Sequence, residues 1–281
     1  GEDVFLSQCA TFELEPLALA FGKVYTISPA FRNEMGGSKR HLAEYSHAKA
    51  EVLLADRFDL MKLASESIYS ALVGVKESSE AQLDFLGVDF DLDLFHPNNH
   101  EHMTYTEAVK IARKKGSSTE WGEGLKHRDE QLLTAHMGGK YVWVEAPPFE
   151  SEGFPYKRHP DNPELSTTCD LIAPHGSGEM VGVAEKIVDP EELIQNIIAK
   201  GLKEEMAQYW SYIAMREYGM PEHGGIGAAP ERIIYGMLGL DHIRETKPWA
   251  RYPGRKILRE DKVLPTFGNP NLERLVDKYD L

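Results

Sequence analysis

Two extended segments flank a short polar loop near the start of this sequence. Residues 22–31 (GKVYTISPAF) are rich in β-branched and aromatic side chains, and residues 41–55 continue in the same way after the loop. Such side chains favour strands because they pack well on a pleated surface. The loop, residues 33–40, is polar and contains Gly36 and Gly37. Together these segments predict a long antiparallel hairpin.

Helical and extended segments alternate after the hairpin. Residues 56–76 carry apolar side chains at helical spacing and predict an amphipathic helix, whereas residues 77–102 are acidic and turn-rich and predict a surface connection. Further helices are predicted over 106–115, 125–137, 189–201, 203–219 and 231–238, and further strands over 141–144, 167–173 and 179–183. A glycine-rich approach, residues 223–229, leads into the last helix. The pattern predicts an α+β fold, an antiparallel β-sheet flanked by helices.

Length, charge and cysteine content narrow the class of protein. A chain of 281 residues is enough for one large domain, and no apolar run approaches the roughly 20 residues that a bilayer-crossing helix needs. Cys9 and Cys169 are far apart in sequence and are expected to be reduced thiols, so a cytoplasmic protein without membrane contact is predicted. The net charge of −14 argues against a broad basic surface for nucleic acid, although a single basic cleft is compatible with it.

Charged and aromatic residues gather at the turn of the hairpin. On a strand, Arg32 and Glu34 are two positions apart, so their side chains point to the same face of the sheet. The loop returns Arg40 and His41 toward that face. Guanidinium groups match the oxygens of carboxylates and phosphates, and Tyr45 is suited to stacking on a planar base. Taken alone, the same residues also fit a purely structural, salt-bridged hairpin.

Two further clusters have chemical character. In residues 223–232 (HGGIGAAPER), the glycines permit close approach of a backbone or ligand, and Arg232 lies in the first turn of the following helix. Asp170 and Glu179 are on adjacent predicted strands, and paired carboxylates are what Mg²⁺ needs when few protein oxygens hold it.

Together the three clusters resemble the catalytic core of the class II aminoacyl-tRNA synthetases. The stretch FRNE…RHLAEY is similar to motif 2 of that family, and GGIG…ER is similar to motif 3. Residues 170–182, 216–227 and 238–255 resemble the aspartyl/asparaginyl branch, and the last of these, with Glu15, leans toward asparaginyl. The resemblance covers residues 1–255, which are expected to form a catalytic domain, and residues 256–281 are expected to be an extension of unknown role.

The resemblance implies ATP and Mg²⁺ as cofactors and a role for each matching residue. It places Arg32 at the α-phosphate and the activated carboxylate, Glu34 near the adenine and the amino group, and Arg232 against the adenine and the γ-phosphate, these three being the catalytic residues. It implies ATP binding by Arg32, Glu34, Arg40, His41, Tyr45, Glu179, Gly227 and Arg232. It implies metal binding by Asp170 and Glu179, and amino-acid binding by Glu15, Arg216 and Gln8. A homodimer is also expected.

The sequence departs from the family pattern at two places. Ala229 and Pro230 stand where the motif 3 pattern has a glycine and an aliphatic residue, and residues 183–186 (VAEK) end in Lys186 where an arginine is usual. These changes predict an altered amino-acid pocket. Nothing in the sequence resembles the anticodon-binding barrel or motif 1, which are expected to lie outside it or to be missing.

Three functions remain open at this point. The first is an AMP-forming ligase that activates aspartate or a related acid and transfers it to ammonia or an amine. The second is the catalytic part of an asparaginyl-tRNA synthetase, with asparagine as substrate and tRNA as acceptor. The third is a paralogue that binds ATP or an amino acid without turnover.

Overall fold

A computed structural model describes residues 5–33 and 38–252, together with Arg274 alone. The strands are β1 (Lys23–Phe31), β2 (Glu44–Leu53), β3 (Glu101–Thr104), β4 (Val142–Glu145), β5 (Arg158–His159), β6 (Asn162–Ser166), β7 (Cys169–Ala173), β8 (Gly178–Glu185) and β9 (His223–Ala228). The helices are α1 (Thr11–Phe21), α2 (Arg57–Ser78), α3 (Glu80–Leu86), α4 (Leu92–Phe95), α5 (Tyr105–Lys114), α6 (His127–His136), α7 (Pro190–Ala199), α8 (Trp210–Ala214) and α9 (Pro230–Leu238).

Within these residues, seven strands form one sheet in the order β1-β2-β9-β8-β7-β4-β3. Every neighbouring pair is antiparallel except β3 and β4, which are parallel. The predicted hairpin is β1 and β2, paired from Lys23 opposite Val52 to Phe31 opposite Glu44. The predicted antiparallel sheet flanked by helices is therefore confirmed, with one parallel pair at its edge.

The two faces of the sheet have different characters because side chains alternate along each strand. On β2, Ala50 and Val52 join a hydrophobic core with α2, which begins with a capping box at Asp56. Lys49 and Glu51 lie on the opposite face, where Glu51 meets the backbone of β9. The candidate site lies on that polar face.

The predicted surface connection over residues 77–102 is wrong in part. It contains α3, α4 and the start of β3, and it buries Leu83, Phe90 and Phe95 against α2 and the sheet. A few apolar residues are enough to pack an acidic segment against the core when they lie on one side of it.

The predicted single helix over 203–219 is also wrong. The chain instead forms 3-10 turns at Met206–Tyr209 and Met215–Tyr218 on either side of α8. The break brings Arg216 inward, where its guanidinium donates to the backbone oxygens of Ile187 and Tyr212, both at 2.8 Å. Tertiary hydrogen bonds here outweigh helical propensity.

Besides the elements of residues 77–104, α1, the small β5–β6 hairpin and β9 in the middle of the sheet were not predicted from the sequence. The sequence predicts the segment of β9 as an approach to a helix because glycine is rare in strands. The structure gives the reason for the glycines. A Cβ added at Gly224 would lie 2.5 Å from Leu60 Cδ1, and one at Gly225 would lie 2.4 Å from Glu51 Oε1. Both faces of β9 are therefore filled by neighbouring side chains.

The described helices include none that combines the length and the apolar character of a membrane span.

Candidate active site

Two adjoining cavities on the polar face of the sheet are lined by residues of the candidate site. The first cavity lies at the turn end of the β1–β2 hairpin and is lined by the sequence-predicted residues Arg32, Arg40, His41, Tyr45, Glu179, Gly227 and Arg232. Seven of the eight residues expected to bind ATP thus surround one space. The eighth, Glu34, falls outside the described residues. Pro230 fits the first position of α9, whose backbone N–H is not needed in the helix, so this departure from motif 3 leaves Arg232 in the first turn.

Hydrogen bonds fix the cationic wall of the first cavity. Arg232 Nη1 donates to the backbone oxygen of Glu179, and its Nη2 lies 3.3 Å from His41 Nε2. Since a guanidinium only donates, His41 Nε2 accepts, and the ring proton on Nδ1 faces Ser38 Oγ at 2.7 Å. These contacts hold the His41 ring beside Arg232.

Arg40 is positioned by the carboxylate of Glu130 and by the absence of a side chain at Gly178. Its Nη1 lies 2.6 Å from Glu130 Oε2. A Cβ added at Gly178 would lie 1.9 Å from the same Nη1, and Gly178 has a φ of +76°. Only glycine fits this close approach and this left-handed backbone without strain.

We expect Gly178→Ala to lower the free energy of unfolding by about 2 kcal/mol, because it combines left-handed strain with displacement of Arg40. The concentration of ATP at half-saturation should rise with it. Gly201→Ala is the matched control, since Gly201 has a φ of +75° and nothing within 4 Å of an added Cβ. Urea unfolding and ATP titration of both variants check this. Equal losses in the two variants would mean that the contact with Arg40 contributes nothing.

Aromatic and imidazole rings line β2 beside Arg32. The Arg32 guanidinium lies 5.6 Å from the centre of the Tyr45 ring, and the Tyr45 and His47 rings are 5.6 Å apart. Burial, followed by the positive charges of Lys49 and Arg32, lowers the pKa of His47 to about 4. His47 is therefore neutral at pH 7 and offers its nitrogens as hydrogen-bonding groups, not as a charge.

Asp170 and Glu179 come together across β7 and β8. A Cβ added at Gly182 would lie 3.2 Å from Asp170 Oδ1 and 3.6 Å from Glu179 Oε1, so both oxygens border one small space. Burial, then the negative charges of Glu179 and Glu152, raises the pKa of Asp170 well above its usual range. Carboxylates that repel one another in this way favour a divalent cation, and hard oxygen donors suit Mg²⁺. The donor set thus fits the predicted metal.

The second cavity, of about 300 Å³, continues along the same face of the sheet. It shares Arg32, His47, Glu179 and Gly227 with the first cavity. Its own lining includes Cys9, Lys49, Glu152, Tyr156 and Lys186. Arg32 therefore lies where two ligands, one in each cavity, would meet.

Glu15 and Arg216 meet in the interior behind the second cavity. Arg216 Nη2 donates to Glu15 Oε2 at 3.0 Å and to the Tyr212 hydroxyl at 2.8 Å, and neither charged side chain has exposed surface. Lys186 Nζ lies 3.8 Å from Glu15 Oε1 and separates the pair from the cavity. Direct binding of an amino acid by Glu15 and Arg216 stays a prediction.

Gln8 is exposed, with its backbone beside His47. Its contact with an amino acid also stays a prediction. The predicted C-terminal extension, residues 256–281, lies outside the described residues except for Arg274.

Several residues of the site were not predicted from the sequence. His47, Lys49 and Glu152 line the second cavity, and Glu51 lies beneath it. His47, Lys49 and Glu51 follow Tyr45 at every second position of β2, so the alternation that places Arg32 and Glu34 on one face also indicates them. Glu152 had no such signal, because it lies in the irregular segment before β5.

Comparison with known proteins identifies the family. The model of the tRNA synthetases class II (D, K and N) matches residues 1–253. The asparagine–tRNA ligase of Thermoplasma acidophilum is 33% identical over 251 residues, which are 89% of this chain and 58% of the relative. That of Desulforamulus reducens is 34% identical with the same coverage. This chain therefore spans 58% of the length of these relatives.

Solved structures agree with the sequence relatives. Asparaginyl-tRNA synthetase from Pyrococcus horikoshii, complexed with asparaginyl-adenylate, matches with a TM-score of 0.84 at 30% identity, over 89% of this chain and 57% of that chain. The Entamoeba histolytica asparaginyl-tRNA synthetase in complex with asparaginyl-adenylate matches with a TM-score of 0.81 at 28% identity. The chain belongs to the class II tRNA synthetases of the D, K and N family.

Proposed function

We propose that this chain is the catalytic core of an AMP-forming ligase of the asparaginyl-tRNA synthetase type. It activates the α-carboxylate of an amino acid of the asparagine or aspartate size with ATP, and pyrophosphate leaves. The observation that carries the proposal is the position of Arg32 between the two cavities, one lined by cations and the other able to hold a small amino acid.

The side chains that line the two cavities suit an in-line displacement. With ATP in the first cavity, Arg40 and Arg232 balance the charge of the phosphates, and Tyr45 offers a ring to the base. Arg32 contacts both the attacking carboxylate and the α-phosphate, so it orients them and stabilises the charge that develops between them. Asp170 and Glu179 would hold Mg²⁺, which supplies further charge neutralisation when bound. No protein nucleophile is required.

The sequence left three functions open. The comparisons support the second, an asparaginyl-tRNA synthetase, over the first, a ligase that forms an amide with ammonia or an amine. The relatives and solved structures named above are asparagine–tRNA ligases, and no amide-forming ligase that uses ammonia is among them. We therefore propose tRNA as the acceptor of the activated amino acid, in a homodimer as the family resemblance implies. The retained cations of the first cavity oppose the third function, a paralogue without turnover.

ATP–pyrophosphate exchange by the full chain tests the proposal. We expect exchange that requires Mg²⁺ and either asparagine or aspartate, and none without an amino acid. We expect none with lysine, because Lys49 and Lys186 already place positive charge at the second cavity. Added tRNA should then accept the labelled amino acid. Formation of asparagine from aspartate and ammonium, without charging of tRNA, would reinstate the amide-forming ligase. Absence of exchange with every amino acid would refute the proposed activity.

A further inference from the structure

Lys49 is a buried cation that faces the second cavity. It lies on β2 with 8% of its surface exposed, opposite Gly227 on β9. A Cβ added at Gly227 would lie 3.4 Å from Lys49 Nζ, so the absence of a side chain on β9 leaves room beside the ammonium. Across residues 5–33 and 38–252, the Lys49 ammonium donates no hydrogen bond and has no carboxylate within 4.0 Å.

The carboxylates beneath the cavity are paired with cations other than Lys49. Glu15 is paired with Arg216 at 3.0 Å and with Lys186 at 3.8 Å, and Glu51 is paired with Lys186 at 3.9 Å. Two carboxylates thus face two cations that are already paired with them, and Lys49 adds a third positive charge. Burial, followed by the charge of Lys186, lowers the pKa of Lys49. A buried ammonium without a partner is costly, and an anionic ligand would remove that cost.

We infer that the second cavity takes an amino acid whose side chain ends in a carboxylate, aspartate in preference to asparagine, and that Lys49 binds that carboxylate. The inference rests on the proposed function, because it names the substrate of the same site. It departs from the amino acid in the names of the relatives, and it gives Lys49 a specificity-determining role.

The chemistry of the two side chains separates them. An ammonium has three donors and no acceptor, so a carboxylate satisfies it with two charged acceptor oxygens. A carboxamide offers one neutral oxygen, so it compensates the positive charge of Lys49 less well than a carboxylate does. With the α-carboxylate of the same amino acid at Arg32, the side-chain carboxylate is left for Lys49, which lines the same cavity.

The test compares the native chain with Lys49→Gln and with Lys62→Gln. Lys62 is a matched control because its side chain is 72% exposed on α2, away from the cavity. We expect kcat/KM for aspartate-dependent exchange to fall about 100-fold in Lys49→Gln, the size of effect seen when one member of a buried charge pair is removed. The ratio of aspartate to asparagine activation should fall with it, while Lys62→Gln leaves both unchanged.

Calorimetric titration of aspartate and asparagine provides a readout that does not need turnover, and urea unfolding establishes that Lys49→Gln folds. Selective binding of aspartate that is lost in Lys49→Gln supports the inference even if no exchange occurs, in which case only the proposed activity fails. Exchange with asparagine in preference to aspartate by the native chain leaves the proposed activity standing and overturns the inference. An unchanged aspartate preference in Lys49→Gln overturns it as well.

Discussion

Arg216→Met is expected to lower the free energy of unfolding by about 4 kcal/mol, because it leaves a buried carboxylate without its guanidinium. The guanidinium donates to Glu15, to the Tyr212 hydroxyl and to the backbone oxygens of Tyr212 and Ile187. Methionine has a similar length but no donor, so each of these acceptors loses a hydrogen bond in a region that water does not reach. Urea unfolding of the native and variant chains measures the difference.

The control for this prediction is Arg251→Met. Arg251 also forms an arginine–carboxylate pair, at 2.9 Å from Glu44, but its side chain is 57% exposed. An exposed pair contributes roughly 0–1 kcal/mol, so the same substitution there should change little. Adding Glu15→Gln to Arg216→Met should recover part of the loss, because no buried carboxylate then remains unpaired. Equal losses for Arg216→Met and Arg251→Met would contradict the assignment of a strong buried pair.

The cost of Arg216→Met should also depend on pH. Burial alone raises the pKa of Glu15, but the hydrogen bond from His223 and the charges of Lys186 and Arg216 outweigh it and bring the pKa from 4.5 to about 2. A depressed pKa stabilises the folded chain above pH 4.5, and that contribution is lost as the pH falls through 2. The difference between native and variant chains should therefore be full at neutral pH and shrink as Glu15 becomes protonated.

The nucleotide side of the site was predictable from the sequence because its residues are close in the chain or on regular strands. Arg32, Arg40, His41 and Tyr45 all belong to one hairpin, and side-chain alternation fixes which of them share a face. The position of Arg232 was predictable because a proline and an acid mark the start of its helix. Local rules of strand, turn and helix are sufficient for these positions.

The second cavity was not predictable in the same way, because it is assembled from distant segments. Glu15 comes from α1, Lys49 from β2, Lys186 from just after β8 and Arg216 from a 3-10 turn. No local sequence pattern predicts that these side chains meet, or that Glu15 and Glu51 pair with Lys186 and Arg216 and not with Lys49. The resemblance indicated an altered pocket at Lys186, but only the packing of α1 over the sheet shows which charges Lys186 neutralises and that Lys49 is left over.

Arg32→Ala is expected to lower kcat/KM for ATP–pyrophosphate exchange about 1,000-fold, the upper range for loss of one donor that stabilises developing charge. Arg32 borders both cavities, so its removal affects the carboxylate and the α-phosphate at once. Arg32→Lys keeps the charge but not the planar fork of donors, and a loss of about 100-fold is expected from it. Exchange assays with saturating ATP and amino acid separate this loss in turnover from weaker binding.

A structural explanation of the same loss is excluded by the exposure of Arg32 and by a control. The Arg32 side chain is exposed and packs over the Tyr45 ring, so the urea midpoint of Arg32→Ala should match that of the native chain. Arg113→Ala removes another exposed arginine, which lies on α5 and is paired with Glu120. This substitution should leave exchange unchanged. If Arg32→Ala retained more than about a tenth of the native rate, the loss would be too small for a group that contacts the reacting atoms, and the junction of the two cavities would not be the reaction centre.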